Sequence, residues 1–438
     1  MPKPTVVYAC QKCDAQSPKW TGRCVECGGW GTLQETVRVK QNPASASLGM
    51  AAKPIDFSSV GESPVRERVQ TGIAEFDRVV GGGIVPGSLT LLSGEPGIGK
   101  STLVLQIAAG VLKNPQATVL YVSGEESAEQ VRMRLNRLQI VPNRFFFLER
   151  AGGEAIAAVT ERDKPTLVVV DSVQTTPAEG VSGEAGSVSH VRAVTGTLLS
   201  AAKQEGIPII LIGHVTKGGA VAGPKTLEHM VDAVLSFEGD RFQNIRILRA
   251  GKNRFGSTDE VGIFTMGEEG LRELPNPSEA FLRQRRSNAP GSCITCAVEG
   301  TRPILLEIQA LVTRSSFRNP QRRAVGIDPV RLSMIAAVLG RRAGLSFENY
   351  DIHVNVVGGM RIVEPAADLA IALAIASAFL NRPLSSSAFV AGEIGLGGEV
   401  RDVKDLERRM REAERFGFKT FLVPGKVDTV KDALDFLQ

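Results

Sequence analysis

The stretch Gly94-Glu95-Pro96-Gly97-Ile98-Gly99-Lys100-Ser101-Thr102 has the spacing G-x-x-x-x-G-K-[ST]. Glycines at those positions let backbone N–H groups close around phosphate oxygens, Lys100 reaches the terminal phosphates, and the Ser101 hydroxyl ligates Mg²⁺. The chemistry is therefore binding of a nucleotide with Mg²⁺. The flanks agree. Ser88 to Ser93 reads as a buried strand, and Thr102 to Ala108 reads as a helix that opens from the loop and adds positive potential at its N-terminus.

Hydrolysis needs more than a cradle. Thr166-Leu167-Val168-Val169-Val170-Asp171 is an apolar strand ending in an acid about seventy residues past the loop, and Asp171 is expected to hold the Mg²⁺ shell. Another strand, Val119 to Ser123, runs into Gly124-Glu125-Glu126, so that either Glu125 or Glu126 is placed to orient or deprotonate the attacking water. Ile209 to Gly213 ends in His214-Val215-Thr216-Lys217, where His214 is either a γ-phosphate sensor or a histidine supporting the site from behind. Lys252 and Arg254 stand at alternate positions, so on an extended strand both project from one face.

Metal chemistry is written at the start of the chain. Cys10-Gln-Lys-Cys13 and Cys24-Val-Glu-Cys27 are two C-x-x-C pairs, the spacing of a tetrahedral four-thiolate Zn²⁺ site that folds a segment too small to have a core of its own. A closed site of that kind has a structural role. Cys293 and Cys296 form a third C-x-x-C without a second pair nearby and follow a strand pattern, so they read as core thiols.

These groups need elements to hold them. The chain has 438 residues, enough for two or three domains, and a net charge of +4, too small by itself to demand a polyanion. Local clusters carry the positive charge instead: Arg283, Arg285 and Arg286, then Arg314, Arg318, Arg322 and Arg323, then Arg341 and Arg342. No secretory leader is visible and the longest apolar run, Leu369 to Leu380, is too short to span a bilayer, so a cytoplasmic protein is expected. The pattern divides into a finger over residues 1–35, a linker rich in small residues and proline over 36–65, a central unit over 66–275 and a last unit over 276–438. Strands and helices alternate through the central unit, which argues a mainly parallel sheet with helices on both faces and an antiparallel edge. Site residues are then expected at the carboxyl ends of the strands.

The four-cysteine finger, GEPGIGKST, LVVVDSVQT, HVTKGG and above all Lys252-Asn253-Arg254-Phe255-Gly256 closely resemble the RadA (Sms) family of bacterial recombination and repair ATPases, over essentially the whole chain. The resemblance implies an α/β fold with a RecA-like core. It also implies a hexameric ring that binds single-stranded DNA, hydrolyses ATP and drives branch migration of recombination intermediates alongside RecA. A non-motor adaptor, in which ATP only switches ring assembly, is the competing reading. Lys252 and Arg254 either reach a neighbouring subunit's γ-phosphate as an arginine finger does or contact DNA. The last unit resembles, through Gly291 to Pro303 and Ala391 to Val400, the α+β proteolytic domain of Lon proteases. However, Pro365-Ala366-Ala367-Asp368 stands where those enzymes carry the serine nucleophile and Glu407 where they carry the lysine. Without nucleophile and base no acyl-enzyme forms. A scaffold is expected there, with Arg314, Arg322 and Arg323 as DNA contacts.

Overall fold

The computed structural model describes residues 5–10, 16, 17, 19–25, 28–38, 67–181, 184–214, 227–239, 245–283, 285, 286, 288–316 and 319–438. They fall into two compact units, residues 1–237 with 250–256 and 268–270, and residues 238–249 with 257–267 and 271–438. Among them, no helix is long and apolar enough to cross a membrane.

The first unit begins with a three-stranded antiparallel sheet, β1 (Thr5–Cys10), β2 (Gln16–Ser17) and β3 (Leu33–Arg38), in the order β2-β1-β3. After α1 (Ala74–Val79) come β4 (Leu89–Gly94), α2 (Lys100–Val111), β5 (Val119–Ser123), α3 (Ala128–Arg137), β6 (Phe145–Glu149), α4 (Gly153–Asp163), β7 (Leu167–Asp171), α5 (Val188–Glu205), β8 (Ile209–His214) and β9 (Ala233–Gly239). Strands β4 to β9 lie in the order β9-β4-β8-β7-β5-β6, and every pairing within that run is parallel. Helices on both faces explain the composition: β4, β5 and β7 are buried at every position and carry unbroken apolar runs. Crossovers by α2, α4 and α5 keep all carboxyl ends on one side, so the loops after β4, β5, β7 and β8 converge there.

β10 (Ile245–Asn253) pairs antiparallel with β11 (Val261–Gly267), and β12 (Gly270–Glu273) and α6 (Pro277–Leu282) follow. The second unit is built on β13 (Ser292–Glu299), β14 (Arg302–Arg314), β15 (Arg322–Val325) and β16 (Tyr350–Val356), ordered β13-β14-β16-β15, with only the β15–β16 pairing parallel. Ile308, Ile352 and Val354 pack on one face with α7 (Pro329–Arg342) and α8 (Asp368–Leu380). Residues Leu369 to Ala376 are at most 1 % exposed, which is why α8 is apolar all round. Small pairings complete the unit, β17 (Ala388–Val390) with β20 (Thr420–Leu422) and β18 (Glu393–Ile394) with β19 (Val400–Arg401), together with α9 (Leu406–Arg415) and α10 (Val430–Leu434).

Candidate active site

The loop after β4 is shaped by what surrounds it. A side chain at Gly94 would place its Cβ 2.5 Å from the Phe237 carbonyl oxygen, because β9 passes close by. Gly99 enters α2 at φ 115°, a conformation glycine adopts without strain. Lys100 is 3 % exposed and donates to the Gly94 and Glu95 carbonyls at 2.9 and 3.0 Å, so its ammonium already sits inside the loop. Burial lowers its pKa while the charges of Asp171 and Glu125 act to raise it.

The β5–β7 register sets Ser123 opposite Asp171, which brings the two acidic strand ends together. Asp171 accepts a hydrogen bond from the Tyr121 hydroxyl at 2.7 Å, and burial pushes that phenol well above its usual range, so it stays a donor. Ser123 Oγ accepts the N–H groups of Glu125 and Glu126 at 3.3 and 2.9 Å and shapes the turn from which the two side chains diverge. Glu126 pairs with Arg134 on α3, and burial raises its pKa. Glu125 accepts from Ser172 Oγ at 2.6 Å and lies 3.3 Å from His214 Nε2. The imidazole chiefly, then Ser172, hold Glu125 at about 2.

Several buried polar atoms around this point lack hydrogen-bond partners among the described residues: His214 Nδ1, Gln174 Oε1 and Glu126 Oε2. Unmet groups beside a phosphate-binding loop fit a polar ligand, and Lys100, Ser101 and Asp171 are the residues that would hold ATP and Mg²⁺. Val215, Thr216 and Lys217 lie outside the described residues.

The Lys252–Gly256 segment is elsewhere. Asp232, 1 % exposed, accepts the Leu89 N–H at the foot of β4 at 3.1 Å, the Lys203 ammonium at 2.7 Å and the Arg254 guanidinium at 3.3 Å. Lys252 donates to the Glu228 and Val231 carbonyls at 2.7 and 2.8 Å, and Arg68 holds the Phe255 carbonyl at 2.8 Å. β10 ends at Asn253, so Arg254 stands in the turn beyond the strand and not on its face, although both cations reach the same 228–232 segment. Leu89 and Gly94 bound β4, so this turn is about 16 Å from the phosphate loop, at the opposite end of the strand.

Of the finger thiols, Cys10 and Cys24 are buried around Leu33, and Cys13 and Cys27 lie outside the described residues. The Cys24 carbonyl accepts the N–H of Gly28, whose φ is 69°, a tight turn of the kind that presents thiolates to a tetrahedral ion. The donor set fits Zn²⁺.

In the second unit the three arginines are not brought together. Neighbours on β15 face opposite ways, so Arg322 donates inward to the Gln321, Tyr350 and Phe347 carbonyls while Arg323 is exposed; Arg314 is exposed at the end of β14. Where the serine of a peptidase is expected, Ala366 is 2 % exposed, and Asp368 beside it pairs with Arg331 through both oxygens. Glu407 is exposed on α9. Cys293 and Cys296 are buried, and burial pushes both thiols to about 12. Ser172 was not singled out from the sequence, although it directly follows the strand-terminal acid. Asp232 carries no local signal at all.

Residues 60–220 match the AAA domain family, residues 8–35 the rubredoxin metal binding domain and residues 332–426 the subunit ChlI of Mg-chelatase family. The crystal structure of the RadB recombinase aligns over 47 % of this chain and 99 % of its own, at 24 % identity and a TM-score of 0.37. The DNA repair protein RadA of Bacillus subtilis (strain 168) is 48 % identical over 97 % of this chain and 93 % of the relative. That of Halalkalibacterium halodurans is 45 % identical over 99 % of both. With near end-to-end likeness at this level, the chain belongs to the RadA family of DNA repair proteins.

Proposed function

We propose that the chain is a DNA-dependent ATPase that moves along single-stranded DNA as a ring, hexameric in this reading, and promotes branch migration of recombination intermediates with RecA. The observation that carries it is the placement of Arg254 at the foot of β4, at the far end of that strand from Lys100. A cation so placed cannot serve its own subunit's nucleotide. It suits a neighbour's, and a site completed between subunits is what couples hydrolysis to movement around a ring. Lys252, held by two carbonyls, braces the turn.

Within one subunit the roles divide by environment. Lys100 draws the terminal phosphates together, while Ser101 and Asp171 hold Mg²⁺, which when bound neutralises charge on the transferred group. A carboxylate held at about 2 is a poor proton acceptor at neutral pH but a firm hydrogen-bond acceptor, so Glu125 orients the attacking water. His214 fixes Glu125 and faces the loop as a sensor.

The test is turnover with and without single-stranded DNA beside strand displacement from a branched substrate. Stimulated turnover with displacement is expected. Assembly on ATP without either would leave the adaptor reading.

A further inference from the structure

One face of the second unit's sheet is only half covered. Ile294, Cys296 and Leu305 pack under Phe389, Ala413 and Phe418, but beyond them the same face opens into a cleft of about 620 Å³. Its floor is Glu307, 3 % exposed, one of whose oxygens accepts from Ser292 Oγ. The second oxygen has no hydrogen-bond partner among the described residues, and the carboxylate's charge acts on the Arg285 guanidinium. Gln309 and Asn355 stand opposite one another across β14 and β16, both exposed, and neither side-chain amide has a hydrogen-bond partner among the described residues. Leu311 and Val325 are 58 % and 57 % exposed on the same face. Around them lie Arg286, Arg323 and His353, again without hydrogen-bond or ion-pair partners among the described residues.

The groups sort by chemistry. Cations at the edge suit the singly charged phosphates of a passing strand, exposed aliphatic side chains suit the flat face of a base, and amides with a carboxylate suit a base edge. A carboxylate only accepts hydrogen bonds, so it favours a base that presents an amine. We propose that this cleft takes one unpaired nucleotide of a DNA strand and prefers cytosine to uracil or thymine through Glu307. The proposal rests on the DNA-binding reading above.

Fluorescence anisotropy on the full chain with labelled dC12 and dU12 tests it, since the two strands differ only in the base edge. The dC12 strand is expected to bind about tenfold more tightly, the scale of one good base contact. Glu307→Gln, which offers both donor and acceptor, is expected to remove most of that preference, with circular dichroism reporting the fold. Arg286→Gln with Arg323→Gln, at exposed positions independent of the core, should weaken both strands alike and lower the salt slope by about 1.4. Equal affinity for the two strands, a preference that survives Glu307→Gln, or an arginine pair without effect would overturn the proposal. Failure of both strands to bind the unaltered chain would remove the DNA reading beneath it.

Discussion

Glu125 and Glu126 are neighbours in the chain, yet the turn after β5 sends one to His214 and Ser172 and the other to Arg134, and their proton affinities move in opposite directions. Depression of Glu125 to about 2 from 4.5 means that its contribution to stability is fully present above about 4.5 and is lost as pH falls toward 2. The gap in urea midpoint between wild type and Glu125→Gln should therefore narrow across that window; a gap that stays constant with pH would contradict the contact with His214. In turnover, Glu125→Gln is expected to lose about a hundred-fold and Glu126→Gln a few-fold at most. Equal losses would return the water-orienting role to either residue. The loop residues were legible because their chemistry is local, nine consecutive positions from Gly94 to Thr102. Asp232 was not, since its partner Leu89 lies 143 positions away and nothing in the local sequence records that contact.

Elements explain what spacing alone left open. Alternation along β13 sends Cys293 to one face and Cys296 to the other, and both are buried, whereas Cys10 closes β1 and Cys24 opens a tight turn beside it in the finger. Of six cysteines, then, four should respond to chelation and two should not. Native protein treated with a strong chelator at pH 8 is expected to release one zinc and expose four fast thiols to a disulfide reagent, the last two reacting only on unfolding. Six fast thiols, or no zinc, would refute it. A second check concerns β4 and β9: Gly94→Ala drives a methyl against the Phe237 carbonyl, so a loss of about 1–3 kcal/mol in stability is expected, together with weakened nucleotide binding. The parallel sheet was legible from unbroken apolar runs, which only strands buried on both faces carry. The open cleft on β14 was not, because its side chains converge from four separate segments.

At the scale of the whole molecule, Lys100→Ala subunits should fail to hydrolyse ATP, and Arg254→Ala subunits should bind it normally yet turn over on the order of a thousand-fold more slowly. Mixing the two is expected to restore part of the activity, because some boundaries then join an intact loop to an intact Arg254. No recovery on mixing, with normal turnover by Arg254→Ala alone and lost DNA binding, would assign Arg254 to the nucleic-acid path. Asp232→Asn should reproduce much of the Arg254 loss, since it releases the guanidinium from its buried anchor, and a double variant no worse than Arg254→Ala would show that the two act as one. The location of that anchor has a kinetic meaning as well. On the proposed reading, with Arg254 at one end of β4 and the phosphate loop at the other, an isolated subunit would carry two halves of different catalytic centres and no complete one. Specific activity per chain should then climb steeply with protein concentration and collapse on dilution, so that the amount of protein in the cell itself sets a threshold below which ATP is bound but not consumed.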